Sequence, residues 1–181
     1  DTVVIGGQVA TINSNINQGA AYVFVRNGTT WTEQQRLTAS DGAAQDGFGK
    51  NVSIDGDTII VGAQSDDVGS NTDQGSAYIY VRQGGVWTEQ AKLGANDGAA
   101  NGLFGGQVFI SADTVAILTG KFSPSSEPSI YVFARTGTTW AQQAKLSICE
   151  PASISGCGFG GGAVSANTLI ASNGAANNGS N

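Results

Sequence analysis

Histidine is missing from this chain of 181 residues. Without it there is no Ser-His-Asp or Cys-His nucleophile and no His-based metal site. Charge is sparse: 12% of the residues are Asp, Glu, Lys or Arg. The balance is acidic, with a formal net charge of −6 and a pI near 4.3. Nucleic acid and anionic lipid both need a basic face, so neither is expected as a partner. No apolar run reaches the roughly 18 residues of a membrane-spanning helix, and no Gly-rich phosphate loop with a following Lys is present. No window sets apolar residues at helical spacing beside a long polar face, so helices are not expected.

What is abundant is glycine, 27 residues, together with a hydrophobic share of 40%. That combination suits one domain with a real core and many tight turns. The chain opens at Asp1 directly on an apolar strand, which reads as a processed or truncated chain.

One stretch, 48–63, reads as two short strands around a tight turn. Val52 and Ile54 alternate with polar neighbours, Asp55-Gly56 is a hairpin signal, and Ile59, Ile60 and Val61 form a continuous apolar run. The pattern returns. Asp-Thr before apolar residues occurs at Asp1, Asp57 and Asp113, with Asn167 as a fourth instance, at spacings of 56, 56 and 54. Phe-Gly occurs at Phe48, Phe104 and Phe159. Tyr22, Tyr78 and Tyr131 are each followed nine residues later by Trp31, Trp87 and Trp140.

Each repeat holds four strand candidates. The first follows Phe-Gly (51–54, 107–110, 161–164), and the second follows Asp-Thr (2–5, 58–61, 114–118, 168–171). The third is aromatic (21–26, 77–82, 130–135), and the fourth runs from Trp to Leu37, Leu93 and Leu146. Short Gly-containing turns (Asn27-Gly28, Gly84-Gly85, Thr136-Gly137) join the third to the fourth. The third strand is apolar on both faces, so it is sandwiched between layers. Four antiparallel strands per repeat is the signature of an all-β propeller blade, whose faces are buried by neighbouring blades.

The segments Phe48-Gly49, Val52, Gly56-Asp57, Val61-Gly62-Ala63 and Gly75-Ser76-Ala77-Tyr78-Ile79-Tyr80 resemble the FG-GAP repeat of integrin-α-type propellers. With Trp87-Thr88-Glu89-Gln90 they are most similar to bacterial secreted FG-GAP proteins. The resemblance spans essentially the whole chain and implies a propeller of about seven blades, within the four to eight typical of the architecture. The chain itself supplies about three blades over 1–173. Its repeats are about 1–56, 57–112 and 113–166, a fourth starts at 167–173, and 174–181 form a flexible polar tail. Such a chain is part of a larger propeller, is completed by copies in an oligomer or filament, or is an open solenoid.

Site candidates are few. Asp66, Asp67 and Asp73 carry oxygen ligands at a spacing that suits calcium, although the matching loops 8–18 and 121–128 lack the acids and a solvated polar loop is the plainer reading. The cation loop that integrin-type repeats often place between first and second strands has no room at Ile54-Asp55-Gly56-Asp57. No cofactor other than calcium is suggested. Adjacent loop aspartates such as Asp66-Asp67 read as solvated rather than catalytic, so no enzyme is expected. Cys149 and Cys157, in one loop with Pro and Gly, are expected to form a disulfide, which would place the protein outside the cytosol. Sequons at Asn27, Asn51 and Asn178 permit glycosylation only in a host that glycosylates. The three tryptophans suit glycan stacking, but their recurrence favours a filler between blades.

The long connections, second to third strand and fourth to first, open on one face of an antiparallel blade. The aspartates there (Asp41, Asp46, Asp66, Asp67, Asp73 and Asp97) mark it as the expected recognition face. The function expected is non-enzymatic and extracellular or at the cell surface: adhesion, contact with a protein partner or with copies of the chain, or assembly into a filament. A carbohydrate-binding or carbohydrate-active propeller is the alternative.

Overall fold

In the computed structural model, residues 1–120, 128–147, 159–165 and 168–173 are described, and they contain thirteen strands and no helix. The first sheet comprises β1 (Thr2–Gly7), β2 (Ala20–Asn27) and β3 (Thr30–Leu37) in that order. The second comprises β4 (Val52–Asp55), β5 (Thr58–Ala63), β6 (Ser76–Gln83) and β7 (Val86–Leu93), and the third β8 (Phe104–Ser111), β9 (Thr114–Thr119), β10 (Ser129–Thr136) and β11 (Thr139–Ser147). β12 (Phe159–Ser165) and β13 (Thr168–Asn173) form a fourth, two-stranded sheet. All neighbours are antiparallel meanders, so each sheet is a blade or part of one, and the blades do not close into a ring.

The strands form where the repeat placed them, with local differences. The hairpin between β4 and β5 pairs Asp55 with Thr58, so its two loop residues are Gly56 and Asp57 rather than Asp55 and Gly56. Gly56 takes the positive φ (56°) that the turn needs. A β-bulge recurs at one place in every third-to-fourth strand pair, at Val23/Phe24, Ile79/Tyr80 and Val132/Phe133. Alternation of apolar and polar residues does not announce it, because the extra residue sits opposite on the fourth strand.

The core lies between sheets. Ala21, Val23 and Leu37 of blade 1 pack on Phe48, Ile59, Val61, Tyr78, Tyr80 and Trp87 of blade 2. Ile60, Ala77, Ile79 and Leu93 of blade 2 pack in turn on Phe104, Val115, Ile117, Tyr131, Phe133 and Trp140 of blade 3. In each blade, alternate side chains on β5 or β9 therefore point to the preceding and the following blade. Cys149, Cys157 and the tail 174–181 lie outside the described residues.

Candidate functional site: blade junctions and an open blade

Each junction is built from the same parts. Phe48 is fully buried and meets Tyr78 and Tyr80 edge-on, with ring centroids 5.4 and 6.1 Å apart. Phe104 repeats this with Tyr131 and Phe133 at 5.4 and 6.2 Å. The glycine after each Phe lets the backbone cross into the preceding blade. A Cβ on Gly49 would sit 2.3 Å from the Ala20 carbonyl oxygen, and one on Gly105 would sit 2.3 Å from that of Ser76. Both glycines also hold φ near +90°, which an L side chain resists. The Phe-Gly pair is thus a latch: the ring fills the junction and the glycine permits the approach.

A second set of contacts lies toward the short turns. Arg82 pairs with Asp57, stacks over the Trp87 ring at 5.0 Å, and donates to Thr2 Oγ1 of the preceding blade at 3.1 Å. Arg135 does the same with Asp113, Trp140 and Thr58. The Trp87 indole N–H donates to Gln34 Oε1 at 3.2 Å, and that of Trp140 to Gln90 Oε1 at 3.0 Å. Trp87 and Trp140 are buried by these contacts, which is the filler role expected of them. Trp31 stacks under Arg26 and, among the described residues, no other blade packs on it.

A third set zips the innermost strands together. Asn51 Oδ1, Ser53 Oγ and Asp55 Oδ2 of blade 2 accept hydrogen bonds from the N–H groups of Val108, Ile110 and Ala112 of blade 3, at 3.0, 3.3 and 2.6 Å. The polar half of the β4 alternation thus reads a neighbour's backbone.

The aspartates expected to form a recognition face do gather on the long-loop side, where the loop 8–19 is hydrogen-bonded to the loop 38–47 (Gln45 N–H to Ile16 O, Gly47 N–H to Asn17 O). The carboxylates of Asp41, Asp46, Asp66, Asp67 and Asp97 are engaged within the protein. Asp41 accepts from Tyr78 Oη at 2.8 Å and from Lys92 Nζ at 2.6 Å. Asp97 accepts from Tyr131 and Lys145 in the same way, at 2.8 and 2.7 Å. Burial pushes Asp41 up, but the bonds from Lys92 and Tyr78 outweigh it and hold the carboxyl below its ordinary value. The Lys145 and Tyr131 bonds hold Asp97 low as well. Asp66 is buried, accepts from the Ser76 hydroxyl, and pairs with Lys92 at 2.8 Å. Lys92, held between two carboxylates, keeps its proton above the usual lysine range despite its burial.

Asp46 differs from these. It is buried and accepts the Ala43 N–H at 2.6 Å. Burial, reinforced by the nearby Asp66 charge, pushes its pKa up to about 6 against the pull of that hydrogen bond. Asp67 accepts the Asp73 N–H at 2.8 Å, which closes their loop on itself. Among the described residues, no three acid, Cys or His side chains are gathered so as to hold a metal ion. A cleft of about 380 Å³ opens beside Asp97, Tyr131 and Lys145, and another of about 490 Å³ lies between Arg82 and Arg135 on the short-turn side.

The exposed apolar surface is elsewhere. Val3, Ile5 and Trp31 are 40%, 51% and 43% exposed, whereas Ile59, Val61 and Trp87, one repeat later, are 0%, 0% and 2% exposed. These six residues occupy the same positions on the same face of their blades. At the other end, Leu146 is 43% exposed where Leu37 and Leu93 are buried. Sequence reasoning did not mark Val3, Ile5, Trp31 or Leu146 as exposed. The 56-residue offset from the buried set was the signal that could have found them.

No curated protein matches the chain. The family model of the FG-GAP repeat matches residues 31–80 and 87–133, more than half of the chain. Both matches include the segments that build the junctions, and the chain belongs to the FG-GAP repeat family.

Proposed function

We propose that this chain is a non-enzymatic extracellular interaction module that assembles with protein surfaces through the apolar face of blade 1. The observation that carries this reading is the exposure of Val3, Ile5 and Trp31 at positions that are buried between blades one repeat later. An apolar patch of this kind on a blade has a ready use in binding, because the equivalent faces of blades 2 and 3 are covered by another protein layer. FG-GAP repeats commonly serve adhesion and protein contact, which agrees with this use. The aspartate loops are the weaker candidate for recognition, since Asp41, Asp66 and Asp97 already bond to Lys and Tyr side chains.

Sedimentation velocity of the 1–181 chain over a range of concentrations tests the reading. Reversible association is expected for the parent chain and is expected to vanish in Trp31→Glu. Association that survives Trp31→Glu but is lost in Asp97→Lys would move the contact to the loop face and overturn the proposal.

A further inference from the structure

The two junctions differ on their long-loop side. In the first, two carboxylates gather around Lys92 and the loop 38–47. Asp46 accepts the Ala43 N–H at 2.6 Å, and Asp66 pairs with Lys92 Nζ at 2.8 Å. Neither acid recurs in the second junction. Gly102 stands 56 residues after Asp46. The third residue after β5 is Asp66, whereas the third after β9 is Phe122 in the sequence.

The groups that receive those acids are retained. Asp97, Tyr131 and Lys145 repeat Asp41, Tyr78 and Lys92, with bonds of 2.8 and 2.7 Å to the Asp97 carboxylate. Ala99 repeats Ala43, and among the described residues nothing accepts its N–H. Lys92 holds two carboxylates, at 2.6 and 2.8 Å. Lys145 holds one among the described residues, and its side chain is 42% exposed. The cleft of about 380 Å³ opens at this place, with Ala99, Gly102, Tyr131 and Lys145 in its wall. Space and an uncommitted donor therefore coincide beside a lysine that has one carboxylate fewer than its counterpart.

We infer that the cleft at the second junction is a site for a small aliphatic carboxylate, whose carboxyl group takes the place that Asp46 holds in the first. The Ala99 N–H donates to it, as Ala43 N–H does to Asp46. Lys145 supplies the opposite charge, as Lys92 does for Asp46. The alkyl part has Ala95 and Phe104 beside it in the remaining volume. One added anion gives Lys145 the pair of carboxylates that Lys92 already has. The site lies between blades 2 and 3, and the inference does not rest on the apolar face of blade 1.

The test is an NMR titration of the isotope-labelled 1–181 chain with sodium propionate at neutral pH, against propionamide in matched sodium chloride. Saturable shifts are expected at the Gly98, Ala99 and Gly102 amides, with a Kd on the order of 1 mM for a ligand of so few atoms. Propionamide, similar in shape but uncharged, is expected to bind about tenfold more weakly. Gly102→Asp returns the internal carboxylate and is expected to abolish binding. The backbone there has no positive φ, and a Cβ would meet the Ala99 carbonyl oxygen at 3.0 Å, so a small shift admits it. Lys145→Met keeps the stem without the charge and is expected to weaken binding by about tenfold or more. Circular dichroism checks that each variant is folded. No saturable shift, equal binding of propionamide, or unchanged binding by either folded variant would overturn the inference. Tighter binding at the same amides by an end-blocked peptide with one Asp would assign the cleft to a protein side chain, and would overturn the assignment to a free acid.

Discussion

Blades 1 and 2 carry nearly the same face with opposite fates. In blade 2, Ile59, Val61, Tyr78, Tyr80 and Trp87 are buried against Ala21, Val23 and Leu37. In blade 1, Val3, Ile5 and Trp31 carry the same chemistry into solvent. The strand sequence therefore specifies a face that wants a neighbour, and the neighbour decides whether the face stabilises the fold or stays available for binding. This is the nearest-neighbour logic of repeat proteins: a blade has little core of its own, and stability accumulates at junctions.

The comparison breaks most readily at the tryptophans. Trp87→Ala empties a packed junction and is expected to cost about 3–5 kcal/mol, whereas Trp31→Ala, half in solvent, should cost less than about 1 kcal/mol. Urea unfolding of both variants measures the pair, and equal losses would show that blade 1 is stabilised in some other way. The next effect is smaller. Gln34→Ala leaves the Trp87 indole N–H without its acceptor and should cost about 1 kcal/mol. Gln143→Ala, at the equivalent position on exposed blade 3, should be close to neutral by the same measurement.

A pH dependence also separates the two junctions. Asp46 has a folded pKa of about 6 against an ordinary 3.8. A raised pKa means that its contribution to stability is greatest below 3.8 and is lost as pH rises through about 6. Acidifying from pH 7.5 to 5 should therefore raise the melting temperature, and Asp46→Asn should flatten that rise. Asp41 and Asp97 act in the opposite sense. Their lowered values stabilise the fold above the ordinary carboxyl range, and that contribution is lost as pH falls below it. The second junction has Gly102 where the first has Asp46, so it contributes nothing to the rise.

Much of this architecture is legible in the residues alone. The Phe-Gly, Asp-Thr and Tyr-to-Trp markers located all thirteen strands, because a repeat places the same turn and the same apolar alternation at each period. The recurring bulge escaped, as did the loop residues of the Gly56-Asp57 turn, since a one-residue register shift leaves composition unchanged. The candidate site was legible only in outline. Aspartates on long loops looked like recognition groups, yet whether a carboxylate faces a solute or a lysine depends on partners such as Lys92, 51 residues away from Asp41.

By itself the sequence determined the repeating strands, the turns between them, the residues of the Phe-Gly latch and the lack of histidine chemistry. These are local properties of backbone preference and side-chain type. Only the tertiary structure decided which copy of each residue is buried and which carboxylates are neutralised by lysine. Those outcomes depend on what lies across a junction, and two strands as alike as TVVIGG and TIIVGA do not reveal which of them is covered.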